Sequence, residues 1–464
     1  MTTFPIRQRI PNDAYSLPKK PSKAVDHLPG PEANWLTGHA ARFAKDDARY
    51  TGDMTDLYGS VFKLPLPFGG RAVVMTGAAA NRRVLGNPGK VLSNHHGYAQ
   101  AKLFGDSIVT RDFEDHAELR KIIAPPFAKP ALRRHLEVIQ RLIGEHFDVV
   151  FESEEQEIEM FPAVKSLALG IAAEIFAGMD LGRDQERMSS ALAAMLRMIS
   201  VRLPLRIPGA AYDRGVRGHR FATATFESEI PARRSGTGDD VFSRLCRAEN
   251  EAGERLADGE IIDNVIGAMI AGHDTTTVAI AAMAYELARH PEWQERVRKD
   301  CEQAIAESPG KAVSFEAAAG LESVEWCAKE ALRLYSPIRY VQRRVVTEFE
   351  FEGHRIPKNA TVLLSMHHSH HNAKYFESPE CFRPERFAPG ENKNALDLDA
   401  WAPFGKGPHV CLGMGFAFLE IKAFFCALLT KVRLDLPHAY SLEVKGLPVS
   451  MPTNGVPMRL TRIG

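Results

Sequence analysis

The segment DGEIIDNVIGAMIAGHDTTTVAIAAMAYELAR, Asp258–Arg289, constrains this chain more than any other stretch. It reads as one helix, with Pro291 just past its end, where a helix stops. At about 1.5 Å per residue it is close to 50 Å long, so it must cross the whole domain. Its apolar run is broken in the middle by His273, Asp274, Thr275, Thr276 and Thr277. Burying an unpaired hydroxyl or carboxyl costs about 2–7 kcal/mol, so these groups need partners or a ligand to face. Thr276 and Thr277 are expected to hydrogen-bond back to carbonyls one turn earlier. Asp274 and Thr275 are short, polar and adjacent, suited to hydrogen-bonding a ligand and relaying protons from water. His273 is expected to pack or to face away.

The rest of the chain is organised around that helix. Residues 1–35 are proline-rich and aperiodic, a lead-in arm containing LPGP that is expected to lie over the surface. SVFKLPLPFGGRAVVMTG, residues 60–77, holds two β-like runs around Gly69 and Gly70 and predicts a hairpin. A mostly helical stretch follows to about residue 335. Residues 345–366 return to β character, and a last helix begins near Leu412. No internal repeat or flexible linker divides residues 36–464, which read as a single domain. Lysines plus arginines equal the acidic residues, 58 against 58, which argues against a nucleic-acid partner. No run of 18 apolar residues predicts a membrane span, and the N-terminus reads as neither signal peptide nor anchor. Six cysteines without dense pairing suggest a reducing, cytoplasmic setting.

The chemistry of the chain concentrates at APFGKGPHVCLGMGFA, residues 402–417. Gly405, Gly407 and Pro408 favour a tight loop before Cys411, and Gly413 lets the backbone approach closely after it. A helix then starts, so Cys411 stands where helix-start N–H groups stabilise a thiolate. Cys301, Cys327 and Cys426, on apolar helical faces, are expected to be buried and structural.

This loop resembles the ligand loop of the cytochrome P-450 family, the haem-thiolate monooxygenases, through Phe404, Gly407, His409, Cys411 and Gly413. Three further motifs stand in family order: AGHDTT on the long helix, Glu330 and Arg333 in EALR, and Arg386 in FRPERF. His116 and Arg120, in HAELR, resemble the helix that holds a haem propionate. The resemblance runs from about residue 35 to the end. It implies a mainly α fold with small β-sheets, a helical prism whose long helix lies over the haem.

By that resemblance the cofactor is haem b, and Cys411 is its axial ligand and only metal ligand. A thiolate donates electron density to the iron and favours O–O cleavage. His116, Arg120, Arg343 and His409 neutralise the propionates, Phe404 shields the sulfur, and Gly413 lets the loop close on the ring. Arg343 is chosen over Arg344 on its distance from EALR. Asp274 and Thr275 form the catalytic pair in the oxygen groove. Glu330, Arg333 and Arg386 support the fold. The expected substrate is mainly apolar, lined by Leu103, Phe104, Met198, Ile199, Ala268, Ala271, Ile338, Val341, Val449 and Met451. Arg339 is read as a surface or propionate-bonding arginine, with a sharper alternative in which it clamps a substrate carboxylate. The run MHHSHHN, residues 366–372, falls on a surface turn in the family and is not expected to bind metal.

The implied reaction inserts one oxygen atom from dioxygen, by hydroxylation or epoxidation. About 50 residues follow the ligand loop, with no flavin or nicotinamide domain. Electrons are therefore expected from a separate ferredoxin and its NAD(P)H-dependent reductase, serving a monomeric protein. A peroxide-driven peroxygenase or isomerase is the alternative, and a non-catalytic haem sensor a more distant one.

Overall fold

The computed structural model describes residues 23–94, 104–150, 155–199, 201, 206–249, 253–310, 312–391, 399–437 and 439–463. The central helix spans Asp258–Arg289, and Pro291 both ends it and opens the next helix, Pro291–Ala306. Proline suits that first helical position because its missing N–H would have had no partner there. The central helix is long and apolar enough to cross a membrane, yet 78% of its most apolar window is buried inside the protein. Its main neighbour is the helix Met160–Phe176. At Gly272 the two come so close that a Cβ would lie 2.5 Å from Phe176 Cε2. A glycine in the middle of a helix is costly by propensity; here close approach of a neighbouring ring requires it.

The predicted hairpin forms from Val61–Pro65 and Arg71–Thr76, paired antiparallel from Val61 opposite Met75 to Pro65 opposite Arg71. It extends into a five-stranded sheet by a parallel pairing to Thr361–Ser365, then Tyr340–Val345 and Leu92–Ser93. The described part of the N-terminal arm lies on this sheet: Val25 and Leu28 are buried in its core, and Lys63 N–H donates to Pro29 O. A three-stranded sheet joins Glu155–Glu159, Pro457–Arg462 and Val432–Asp435. The main core gathers the central helix, Met160–Phe176, Glu322–Leu334 and Met414–Leu429.

One buried ionic network joins these layers. Glu330 and Arg333, three positions apart on Glu322–Leu334, have no solvent exposure. Arg333 Nε and Nη2 donate to the two Glu330 oxygens at 2.8 and 2.9 Å, and Arg386 Nε donates to Glu330 Oε1 at 2.9 Å. The remaining Arg333 donors reach His370 O at 2.8 Å and Pro379 O at 2.6 Å. His370 in turn accepts the Ala402 N–H through Nε2 at 3.0 Å, at the start of the cysteine loop. The histidine run is therefore no surface turn. Residues 366–370 form a short helix in which His367 and His370 are buried, because their rings fill the space between this network and the sheet. Among the described residues no group of three or more metal-type side chains has metal-binding geometry.

Arg333→Ala is expected to leave mostly haem-free or insoluble protein, since stranding a buried carboxylate costs about 3–5 kcal/mol. A soluble variant with full haem content by pyridine haemochrome assay would contradict this.

Glu420, on Met414–Leu429, gives a second test. Burial pushes its carboxyl up to about 8, and Oε1 has no hydrogen-bond partner. An unfolded glutamate titrates near 4.3, so the folded chain holds the extra proton between those values. The stabilisation from this site is complete below about pH 4 and is lost as pH rises through about 8. Glu420→Gln should therefore flatten the fall of Tm between about pH 6 and pH 9, measured by thermal melts of the haem-loaded protein. A fall as steep as wild type would place the titrating group elsewhere.

Candidate haem-thiolate site

The cysteine loop is closed by its own backbone. Gly405 N–H donates to Ala402 O, Val410 N–H to Gly407 O, and Cys411 N–H to Phe404 O at 2.8 Å. Gly405 and Gly407 both have φ of +66°, a left-handed conformation that only glycine adopts cheaply. At Gly407 a Cβ would also strike Leu85 O at 2.5 Å, so this turn is seated against the helix Ala78–Gly86. The helix Met414–Leu429 starts three residues after Cys411. The Cys411 thiol has accessible surface, yet enough protein encloses it that burial raises its pKa. The Gly413 N–H and the Arg120 charge oppose that rise. Accessible surface on an otherwise enclosed group marks the wall of a hollow.

The central helix presents a second wall. Along its buried length Ala268 and Thr275 stay partly open to solvent, and Ala271 is exposed. Their i, i+3, i+7 spacing places them on one face. Two rings bridge the helix to the cysteine loop. Phe176 packs at Gly272 and lies 5.4 Å from Phe127, and Phe127 Cε1 lies 3.9 Å from a Cβ built on Gly413.

The polar break divides into separate environments. All three threonines donate back one turn: Thr275 to Ala271 O at 2.7 Å, Thr276 to Gly272 O at 3.0 Å, Thr277 to His273 O at 2.7 Å. Of the three, Thr275 alone is not buried; its hydroxyl oxygen keeps lone pairs free to accept. Asp274 is wholly buried, with Lys165 Nζ 2.6 Å from its Oδ1 and His273 Nε2 at 3.3 Å. Neither Asp274 oxygen meets hydrogen-bond geometry, so we read the Lys165 contact as a Coulombic pair. His273 faces the interior and bonds Met269 O through Nδ1 at 2.6 Å. No signal in the sequence marks Lys165 as the partner of Asp274; it sits about 110 residues earlier, on the helix Met160–Phe176.

At the edge of the loop four nitrogen-bearing side chains converge. The His116 and His409 rings are 3.8 Å apart between centroids. Burial, then Arg120, lowers His116 to about 4; burial, then His116, Arg343 and Arg120, lowers His409 to about 2. Burial lowers Arg343 to about 10, opposed by Asp112. Alternation along Tyr340–Val345 separates the two arginines: Arg343 acts on His409, whereas Arg344 reaches Asn359 Oδ1. Asp112, which no sequence motif singles out, is buried among these groups and accepts from Ser93 Oγ and Asn94 N–H. Burial first, and then the neighbouring positive charges, depress the histidines, and anions placed here would offset the charge repulsion. A thiol in a hollow, a flat apolar helix face and a cation cluster at the rim fit a planar iron macrocycle carrying carboxylates.

The other expected residues are distributed as follows. Phe404 is half-buried against Phe418 and Trp401, with ring centroids 5.4 and 6.2 Å away. Phe104 lies against the central helix at Gly267. Ile338 and Val341 border the sheet core, and Val449 and Met451 the main core. Met198 is drawn elsewhere: it is buried against Gly215, where a Cβ would lie 2.5 Å from its own, so it packs between two helices. Leu103 lies outside the described residues, as does the Ile199 side chain. Arg339 is not at the surface. It is buried, with Nη1 2.6 Å from Asp47 Oδ1, so the carboxylate it clamps belongs to this chain. Cys301, Cys327 and Cys426 are buried.

Fold and site together define a haem-thiolate protein. The Cytochrome P450 family model matches residues 28–455, and the chain belongs to that family. It is 30% identical over 361 residues to "Putative cytochrome P450 136" of Mycobacterium tuberculosis, covering 77% of this chain and 73% of that protein. It is 29% identical over 422 residues to a taxane 10-beta-hydroxylase of Taxus cuspidata, covering 89% and 84%. With a beta-amyrin 28-monooxygenase of Solanum lycopersicum it shares 28% identity over 435 residues, covering 91% and 88%. A retinoic acid-bound structure of cyanobacterial CYP120A1 matches the fold with a TM-score of 0.85 at 24% identity, covering 97% of this chain and 100% of that one. The protein is a cytochrome P450 monooxygenase, its cofactor is haem b, and it works with redox partner proteins, dioxygen and an organic substrate.

Lys165→Met should destabilise the haem-loaded protein by about 3–5 kcal/mol, because it strands the buried Asp274 charge. Lys165→Met/Asp274→Asn should recover most of that loss. Urea melts of the three proteins check it: a single variant as stable as wild type would mean that Asp274 and Lys165 are not paired.

Proposed function

We propose that this chain hydroxylates or epoxidises a mainly apolar molecule of terpenoid, steroid, retinoid or fatty-acid size, with Cys411 as the residue that would hold the haem iron. The observation that carries the reading is the accessible Cys411 thiol inside an enclosing shell, with the Gly413 N–H and Arg120 favouring its thiolate. When bound, haem would supply the redox-active iron through which two electrons, two protons and dioxygen yield one oxygen atom on the substrate and one molecule of water. Phe404 keeps water from the sulfur. Arg120, Arg343, His116 and His409 hold the propionates by charge-assisted hydrogen bonds. Ala268 and Ala271, the smallest side chains on the open face of the central helix, leave room for an apolar substrate. Phe104, Ile338, Val341, Val449 and Met451 border it. With Arg339 bound to Asp47, the pocket needs no substrate carboxylate.

Thr275 holds a proton at Oγ1 and shares it with Ala271 O, so that proton can be turned toward a ligand without breaking the helix ladder. Asp274 supplies Thr275 with protons by exchanging its ion pair with Lys165 for a hydrogen bond to water. Retention of this acid–alcohol pair favours the dioxygen-dependent reaction over a peroxide-driven one. The names of the relatives support the substrate class: two act on taxane and triterpene skeletons, and the structural neighbour holds retinoic acid. Electrons come from a small iron–sulfur ferredoxin and its NAD(P)H-dependent reductase. The protein acts as a cytoplasmic monomer with one haem domain over residues 36–464.

The reduced carbon monoxide complex should show the strongly red-shifted Soret band of thiolate ligation. Cys411→Ala should lose it; retention would refute the ligand assignment. Thr275→Ala should keep apolar ligand binding but release more hydrogen peroxide per NAD(P)H consumed with ferredoxin and reductase, because one positioned proton donor is lost. Unchanged coupling would remove Thr275 from the proton path.

A further inference from the structure

We propose that Asp263, with Asn264 and Glu260, is a specificity-determining latch that holds the loop 104–112 on the central helix and so sets how far Phe104 reaches over the substrate face. This rests on the reading that Ala268 and Ala271 face substrate. The three latch residues stand at i, i+3 and i+4, one face of the helix. Asp263 Oδ2 accepts the Asp106 N–H at 2.8 Å, and Asn264 Oδ1 accepts the Ile108 N–H at 2.9 Å. Asn264 Nδ2 donates to Glu260 O at 2.8 Å, which fixes the orientation of the amide. Glu260 Oε1 pairs with Arg111 Nη2 at 2.5 Å, while its Oε2 accepts the Ala257 N–H that opens the helix. Arg111 Nε returns to Asp106 O at 3.2 Å, closing the circuit.

The fit is close. Gly105 has φ of +47°, and a Cβ there would lie 2.0 Å from Asp263 Oδ2. The carboxylate occupies the space that any other residue's side chain would need. Phe104 immediately precedes it, and its Cδ1 lies 3.8 Å from a Cβ built on Gly267. The ring thus covers bare helix backbone one residue before Ala268. Holding a carboxylate here has a cost. Burial raises Asp263 to about 6 against the Asp106 N–H bond; the Asp106 and Glu260 charges add to the rise and Arg111 opposes it. A loop pinned by side chains rather than by a sheet or helix ladder moves when one pin is removed.

The test uses the full-length, haem-loaded chain with two iron-binding probes, imidazole and the bulkier 4-phenylimidazole, read by Soret titration. It adds amide hydrogen exchange over residues 104–112. Asp263→Ala should speed exchange at Asp106 and weaken 4-phenylimidazole, each by about 10-fold for one lost hydrogen bond. Imidazole, too small to touch Phe104, should change by less than about twofold. Asp263→Asn, whose amide oxygen still accepts the Asp106 N–H, should restore both wild-type values. Gly105→Ala should behave as Asp263→Ala does. If either alanine variant fails to take up haem, Asn264→Ala, which removes the Ile108 bond to the loop and the Asn264 bond to Glu260 O within the helix, decides by the same readings. Unchanged exchange would mean that there is no latch; faster exchange with unchanged 4-phenylimidazole binding would mean that the latch does not shape the pocket. Either result overturns the proposal. Absence of any Soret change with both probes in wild type would instead bring down the haem-pocket reading on which it rests.

Discussion

Glu330 is the carboxylate on which the cysteine loop depends. It has no solvent exposure, and Arg333, Arg386 and the Arg383 N–H all donate to it. Arg333 is equally buried and spends its other donors on His370 O, Pro379 O and Cys381 O. His370 then receives Ala402 N–H. One charge therefore positions, through two further residues, the chain entering the loop of Cys411. Buried pairs of this kind contribute little net stability, because desolvation offsets attraction, but breaking them is costly. That asymmetry makes the network a means of fixing one loop geometry rather than a source of folding energy.

The central helix carries two demands that conflict. It must pass through the core, which favours apolar residues, and it must present polar chemistry at its middle. Back-bonding satisfies the hydroxyls of Thr275, Thr276 and Thr277 without outside partners. Asp274 has no such local solution and is met by a lysine from the neighbouring helix. Gly272 lets that neighbour approach. The small residues Ala268 and Ala271 then leave one strip of the helix uncovered, and Thr275 stands on that same strip.

Electrostatics divide the site in the same economical way. The basic groups collect at the rim, where burial lowers His116, His409, Arg120 and Arg343 and the neighbouring arginines depress the two histidines further. The open face of the helix is apolar, and the thiol lies among backbone donors at a helix start. A flat cofactor with acidic substituents on one edge satisfies all three environments at once.

Much of this was legible in the residues themselves. Local spacing determined the central helix, the hairpin at residues 60–77 and the glycine-bounded loop before Cys411, because helix period, strand alternation and left-handed glycines are properties of neighbouring residues. The same holds for Glu330 and Arg333, which lie one turn apart. What the tertiary structure decided are pairings between residues far apart in sequence. Lys165 with Asp274, Asp47 with Arg339, Asp263 with the 104–112 loop and His370 with Ala402 leave no periodic trace. It also turned Met198 toward Gly215 and buried half of a histidine run expected on the surface. Each outcome depends on which chain segment fills the space opposite, and only the packed molecule brings those segments together.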